Sequence, residues 1–397
     1  MRERQPHILP VIVASQFGGT SLWFAGNAVA TDLAAGLDPA HAASAVQLGF
    51  IAGTLLSARL RLADRWSAPA LFCICCLLGA LLNFPATVAA RGAGDHAVPL
   101  LLAIRFAVGL TLAGIYPIGI KVAAGWYREG LGRALGYLTG ALVLGTAFPH
   151  LVRGLGAAIS WQTVLGASSL AAALGGLLLW LTVREGPHVA RQAQSAPSAG
   201  AWATIRRIPR LRAAAVGYFG HMWELYAFWA FVPLFVASHA AFSHAPAMEI
   251  SRWSFAVIAA GAAGCVVGGI VATRRGSAPV ALAQLSVSGL CCLLSPLAYG
   301  MPAPIFAGFL IIWGIAVVGD SPQFSALNAL EAPRDQVGSV VTLINSIGFA
   351  ITIASIQLLA LLVTQIDARW LMLALAIGPL AGGVAFGRVY FPRAARA

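Results

Sequence analysis

Twelve stretches of this chain are each apolar for about 20 residues, the length an α-helix needs to cross the hydrocarbon of a bilayer. They fall near 8–32, 43–62, 69–90, 98–122, 132–156 and 162–183, and then near 213–238, 251–273, 279–300, 303–327, 338–364 and 369–391. Backbone N–H and C=O groups find no water in lipid and must be satisfied within the segment, so a chain of this kind folds as a bundle of membrane-spanning helices. These are called helices 1 to 12 below. The composition agrees, since only 10% of the 397 residues are charged and 59% are hydrophobic, against about 25% charged in ordinary soluble domains. The apolar run after Pro10 outlasts a signal-peptide core and is followed by no small-residue cleavage site, so it is expected to remain as helix 1.

A net charge of +12 raises the question of a nucleic-acid partner, and the placement of the charge answers it. With the amino terminus set in the cytoplasm, 20 of the 25 basic residues fall on the inner side of the membrane, from Arg2 and Arg4 to Arg393 and Arg396. Four fall outside (Arg91, Arg153, Arg252 and Arg369), and Arg105 lies within a span. That asymmetry is the mark of membrane topology and places both termini in the cytoplasm of an inner (plasma) membrane protein, with no nucleic-acid role. The six cysteines lie in apolar helical stretches without the spacing of a metal site or disulfide framework, so packing is their expected role, and no cofactor or metal is expected.

The polar stretch 184–212 contains Gln-Ala-Gln-Ser-Ala-Pro-Ser-Ala-Gly and has the composition of a linker. It divides the chain into an N-terminal six-helix bundle, 1–183, and a C-terminal one, 213–397. Two traces of repetition fall at matching places. Arg65-Trp66-Ser67-Ala68-Pro69 after helix 2 is echoed by Arg275-Gly276-Ser277-Ala278-Pro279 after helix 8, and Gly109, Gly114 and Pro117 of helix 4 by Gly314, Gly319 and Pro322 of helix 10. The fold class expected is an all-α membrane protein with twelve transmembrane helices in two pseudo-symmetric six-helix bundles.

On these features the chain resembles the major facilitator superfamily over essentially its whole length. At the helix 2–3 turn, Asp64 and Arg65 match the family's Gly-x-x-x-Asp-Arg motif, while the leading glycine and trailing basic pair are absent; the match marks Asp64 and Arg65 as a gating loop. Helix 4 fits the family pattern of an arginine followed by small residues and a proline through Arg105, Gly109, Gly114 and Pro117. The resemblance implies that helices 1, 4, 7 and 10 line a central cavity, that the halves rock about a midplane site, and that a monomer moves a small-molecule substrate through the bilayer.

An ionisable group inside a membrane costs about 2.5–3.5 kcal/mol on insertion scales, which makes each one a functional candidate. Arg105, Glu224 and Asp320 are such groups, on helices 4, 7 and 10, the helices the resemblance assigns to the cavity. Glu224 lies nearest the midplane, and His221 precedes it by three residues, so the two share a helix face on which a proton can be held or passed. Glu224 is read as the proton or substrate site with His221 tuning it, and Arg105 as a fixed cation facing an anion or a carboxylate. Asp320 is read as a further proton-coupling group, or as the cap of a helix broken at Pro322. Gln16, Ser21 and Asn27 on helix 1, Trp223 and Tyr226 on helix 7, and Asn345 on helix 11 are candidate cavity-lining residues, although polar groups in such helices also serve as packing glue.

The only lysine, Lys121, follows Ile120 and cannot belong to a Gly-Lys-Ser/Thr phosphate loop, which disfavours ATP-driven transport and leaves an ion gradient. The chain lacks a His-Glu-x-x-His zinc pair, and Asp320 has no second intramembrane aspartate motif, so enzyme activity is not expected. The function expected is secondary active transport of a small metabolite or anion, coupled to protons. A proton-driven pump for drugs or lipophilic cations is the alternative, and a membrane sensor, scaffold or intramembrane enzyme the alternative of another class.

Overall fold

The computed structural model describes residues 7–127, 131–156, 158–188, 199–243 and 249–392. The described residues are almost wholly helical and form two compact units, Met1–Gln194 and Ser195–Ala397, each built on six membrane-spanning helices. Among the described residues, ten helices are long and apolar enough to span a membrane by length and composition. In unit 1 they are helix 2 (Pro39–Leu60), helix 3 (Ala68–Arg91), helix 4 (Gly94–Trp126), helix 5 (Gly132–Arg153) and helix 6 (Trp161–Thr182). In unit 2 they are helix 8 (Ile250–Arg275), helix 9 (Ser277–Ala298), helix 10 (Ala303–Glu331), helix 11 (Val337–Leu362) and helix 12 (Ala368–Tyr390). Helix 1 begins as Ile8–Thr20 and resumes after a turn as Asn27–Val29 and Ala30–Leu33, and helix 7 is a long rod, Pro209–Ser243.

Local chemistry sets several of these boundaries. Asp38 caps helix 2 by accepting from Ala40 N, Ser160 caps helix 6 through Thr163 N, and Glu249 caps helix 8 through Arg252 N. Proline follows closely at the starts of helices 2 and 3, where its missing N–H leaves no helical bond unmade. Helices 4 and 10 are each interrupted where a proline removes an N–H: helix 4 restarts at Tyr116 with Pro117, and helix 10 restarts at Ser321 with Pro322. Helix 3 carries a π-turn over Leu82–Ala86, around Pro85.

The repeated glycines of helices 4 and 10 do the same work in both units. A Cβ on Gly109 would run into the Val46 carbonyl of helix 2, and one on Gly314 into the Val257 carbonyl of helix 8. The neighbouring helices approach so closely that only glycine fits. The turns after helices 2 and 8 are built differently: Arg61 adopts a left-handed backbone at φ 52°, whereas the positive-φ residue after helix 8 is Gly276 at φ 81°, which matches Trp66 rather than Arg61 in the sequence repeat.

Within the stretch read as linker, the described part contains a short helix, Ala199–Arg207, that sequence composition did not announce. Its inward residues Ala201 and Ile205 are buried. The last residues of that stretch already belong to helix 7, which begins at Pro209, and 189–198 lies outside the described residues.

Candidate functional site

Helix 7 carries the acidic centre of unit 2. Glu224 is buried, at 1% exposure, and its carboxylate accepts from three neutral donors on two other helices. Ser288 Oγ of helix 9 reaches both oxygens at 2.5 Å, Trp313 Nε1 of helix 10 donates at 2.6 Å to Oε1, and Cys292 Sγ of helix 9 donates at 3.2 Å to the same oxygen. Ser288 and Cys292 are four residues apart, so one face of helix 9 presents both. The Trp313 indole is aimed by its neighbours, lying 4.6 Å from the Phe228 ring and edge-on to Phe309 at 5.6 Å. Among the described residues no arginine, lysine or histidine stands within ion-pair distance of Glu224.

His221 takes a different partner from the one its spacing suggests. Its Nδ1 lies 2.8 Å from Asp320 Oδ1, and both side chains are buried. Residues three apart on a helix point about 60° away from one another, which here sends His221 to the break in helix 10 and Glu224 toward helix 9. His221 therefore does not touch Glu224 as a tuning group. Asp320 leaves its capping role to the backbone: its carbonyl accepts from Phe324 N, while the side chain makes no cap hydrogen bond. His221 Nε2 and Asp320 Oδ2 are buried without a hydrogen-bond partner, and the Tyr218 ring lies 6.0 Å from the imidazole.

Unit 1 contains a buried cation instead. Arg105, at 2% exposure, donates through Nη1 to Asn83 Oδ1 at 2.8 Å and through Nη2 to the carbonyls of Leu22 and Trp23, each at 3.0 Å. Those carbonyls belong to the turn interrupting helix 1, and Asn83 belongs to the π-turn of helix 3. Arg105 thus stitches two irregular backbones together, and it has no carboxylate partner among the described residues. Gly26 leaves the space it needs, since a Cβ there would lie 2.7 Å from Arg105 Nε.

The remaining candidates disperse. Ser21 Oγ donates to Gly18 O and to Ser168 O of helix 6, and Asn27 Nδ2 donates to Pro39 O at the start of helix 2. Gln16 is fully buried with neither amide atom partnered, against Gly119 of helix 4. Trp223 Nε1 donates to Ala374 O of helix 12, and Tyr226 packs on Trp229 and on Phe349 of helix 11. Asn345 is half-buried on helix 11. Arg65 is exposed at the end of the short turn Leu62–Arg65, whereas the Asp64 side chain lies outside the described residues.

Sequence reading missed Ser288, Cys292, Trp313 and Asn83. The signal for the first two was a polar residue and a thiol one turn apart, and nothing in a single sequence distinguishes Trp313 from an ordinary core tryptophan. Among the described residues, no three His, Cys, Asp or Glu side chains are close enough to hold a metal ion.

Six spans in each unit, interrupted partner helices and buried ionisable groups define a polytopic membrane protein of the transporter type. A family model described as Major Facilitator Superfamily matches residues 8–356, and the chain belongs to that superfamily. No curated protein matches the sequence. Among solved structures, the chain is similar to the human organic anion transporter MFSD10 (TETRAN), with 14% identity, TM-score 0.69, and coverage of 97% of this chain and 100% of that one. It is similar to the proton:xylose symporter XylE bound to 6-bromo-6-deoxy-D-glucose, at 11% identity and TM-score 0.70 over 98% and 96% of the two chains. A bacterial homologue of the iron transporter ferroportin, in an outward-facing state, gives 15% identity and TM-score 0.70 over 96% and 97%. At such identities the likeness is one of fold.

Proposed function

We propose that this chain is a proton-coupled secondary transporter that moves a small metabolite or anion by alternating access, with Glu224 as the group that binds and releases the proton. The observation that carries this reading is a carboxylate buried in a membrane span and held by Ser288, Cys292 and Trp313 with no cation beside it. An acid so placed is charge-neutral when protonated and, when ionised, a charge in a low-dielectric setting with hydrogen bonds but no counter-ion, so a conformational change that alters its access to water also alters its proton occupancy. The buried pair of His221 on helix 7 and Asp320 on helix 10 is a second titratable centre, of a different kind because an imidazole stands against the carboxylate. Arg105 supplies a permanent positive charge in unit 1, and the concentration of basic residues on one side supports an inner-membrane protein with both termini cytoplasmic.

The test is gradient-driven uptake and efflux in proteoliposomes, screening small carboxylates, inorganic anions and lipophilic cations, with wild type and Glu224→Gln side by side. A substrate that moves with the pH gradient in the wild type, and only exchanges without net coupling in the variant, is the expected outcome. Coupling that survives the substitution intact overturns the assignment of Glu224. One observation favours a second reading, proton-driven export of lipophilic cations: the acid stands among Trp313, Phe228 and Phe309, an aromatic wall suited to a cation. The cation arm of the same screen decides between them.

A further inference from the structure

Ahead of helix 7, at the end of unit 2 where that helix begins, the short helix Ala199–Arg207 is docked rather than loose. Ala201 and Ile205 form its buried stripe, and Thr204 Oγ1 donates to Gln336 Oε1 at 2.7 Å. Gln336 is the residue immediately preceding helix 11, so the docked helix is fixed at the level where helices 7 and 11 meet the membrane boundary. At 1.5 Å per residue, Arg207 lies within about 10 Å along the chain of the first apolar residues of helix 7.

The opposite face is basic and aromatic. Trp202 is 49% exposed, and Arg206, one turn later, stands on the same side with Arg207 beside it; both arginines are exposed. Neither has an ion-pair partner among the described residues. Arg210, by contrast, is engaged, 3.0 Å from Glu331 and over the Tyr390 ring. The neighbouring stretch 189–198 contains no acidic residue and adds Arg191, so nothing in the adjoining sequence offers the two guanidinium groups a carboxylate.

Two adjacent free guanidinium groups, the first of them one turn from an exposed indole, on a docked helix at the membrane boundary, match the parts of one ligand. An arginine pair binds a phosphodiester through charge-assisted hydrogen bonds, and an indole settles at the junction of headgroup and acyl chain. We propose that Ala199–Arg207 is a binding site for an anionic phospholipid, with the headgroup phosphate on Arg206 and Arg207 and Trp202 against the upper acyl chains. Other arginines gather at the same end of the unit, Arg274 and Arg275 at the end of helix 8 and Arg388 near the end of helix 12. They have the charge but not the adjoining indole, and so serve as the internal control.

The experiment is lipid retention by the purified full-length protein, read by native mass spectrometry after exchange into equal amounts of phosphatidylglycerol and phosphatidylcholine. Wild type is expected to retain phosphatidylglycerol in preference. R206Q/R207Q should lower that retention about tenfold or more, W202A by a smaller factor, and R274Q/R275Q hardly at all. Equal retention of the two lipids by wild type overturns the proposal. So does an equal loss in R206Q/R207Q and R274Q/R275Q, which would reduce the effect to general surface charge. Displacement of the lipid by the same concentration of inorganic phosphate would likewise overturn it, pointing to a site for a free anion. Should the double variant fold poorly, W202A and the wild-type headgroup preference still decide the matter.

Discussion

The two units share a scaffold and differ in what they bury. Matching them through Gly18 and Gly220, Gly109 and Gly314, and Pro69 and Pro279 places Leu22 opposite Glu224, Val108 opposite Trp313, Leu78 opposite Ser288, and Ile115 opposite Asp320. Even the contacts correspond. Ile115 packs against Gly19 in unit 1 where Asp320 meets His221 in unit 2, and Leu22 packs against Gly79 where Glu224 meets Ser288, the residue before Gly289. The acidic centre of unit 2 therefore occupies positions that unit 1 fills with hydrocarbon. The reverse holds for Arg105, whose counterpart in helix 10 is Leu310. Steric demands are common to both repeats, and polar chemistry has been added to each separately.

The most damaging way to break this contrast is to remove the cation of unit 1. Arg105→Leu leaves Asn83 Oδ1 and the Leu22 and Trp23 carbonyls without their donor. The expected loss is about 4 kcal/mol, taking between 1 and 3 for each orphaned acceptor and allowing for partial relaxation. Denaturant unfolding in detergent reads it, and a loss below about 1 kcal/mol would show that the helix 1 turn is held by other means.

A reciprocal exchange sharpens the comparison. Leu22→Glu puts an acid where the positions matching Ser288 and Trp313 are Leu78 and Val108, neither of which can donate to it, and should cost about 3 kcal/mol. Glu224→Leu strands the Ser288 hydroxyl and the Trp313 indole N–H, at about 2 kcal/mol. Adding Ser288→Ala and Trp313→Phe to Glu224→Leu removes the stranded groups too, and should recover much of that loss while leaving proton-driven transport absent. Recovery of transport along with stability in the triple variant would assign the centre a packing role.

The smallest effect is expected at the helix 2–3 turn. Arg61→Gly relieves the strain of a left-handed backbone on a residue that carries a Cβ, and should stabilise unit 1 by about 0.5–1 kcal/mol. A thermal shift to lower temperature would mean that the Arg61 side chain contributes more than the strain costs.

How much of this could be read beforehand differs by kind of feature. Glu224, Asp320 and Arg105 stood out because hydropathy makes any charge in an apolar run conspicuous, and the glycines of helices 4 and 10 stood out because their spacing recurs. The short helix at Ala199–Arg207 did not, since nine residues, one of them Gly200, are too few to hold a helix on their own whatever their individual preferences. Its docking on helices 7 and 11 supplies the stability that propensity lacks.

By itself, the amino-acid sequence determined the helical membrane fold, the close-packed repeat positions and the identities of the buried charges. Each of these is local or periodic, and the hydrocarbon thickness and the helix pitch convert it directly into structure. Only the tertiary structure decided the partners: His221 with Asp320 rather than Glu224, Glu224 with Ser288, Cys292 and Trp313, and Arg105 with Asn83 and two carbonyls. A partner across a helix interface depends on the rotation and depth of both helices, set by the packing of small residues along their whole lengths. No window of sequence around either residue contains that information.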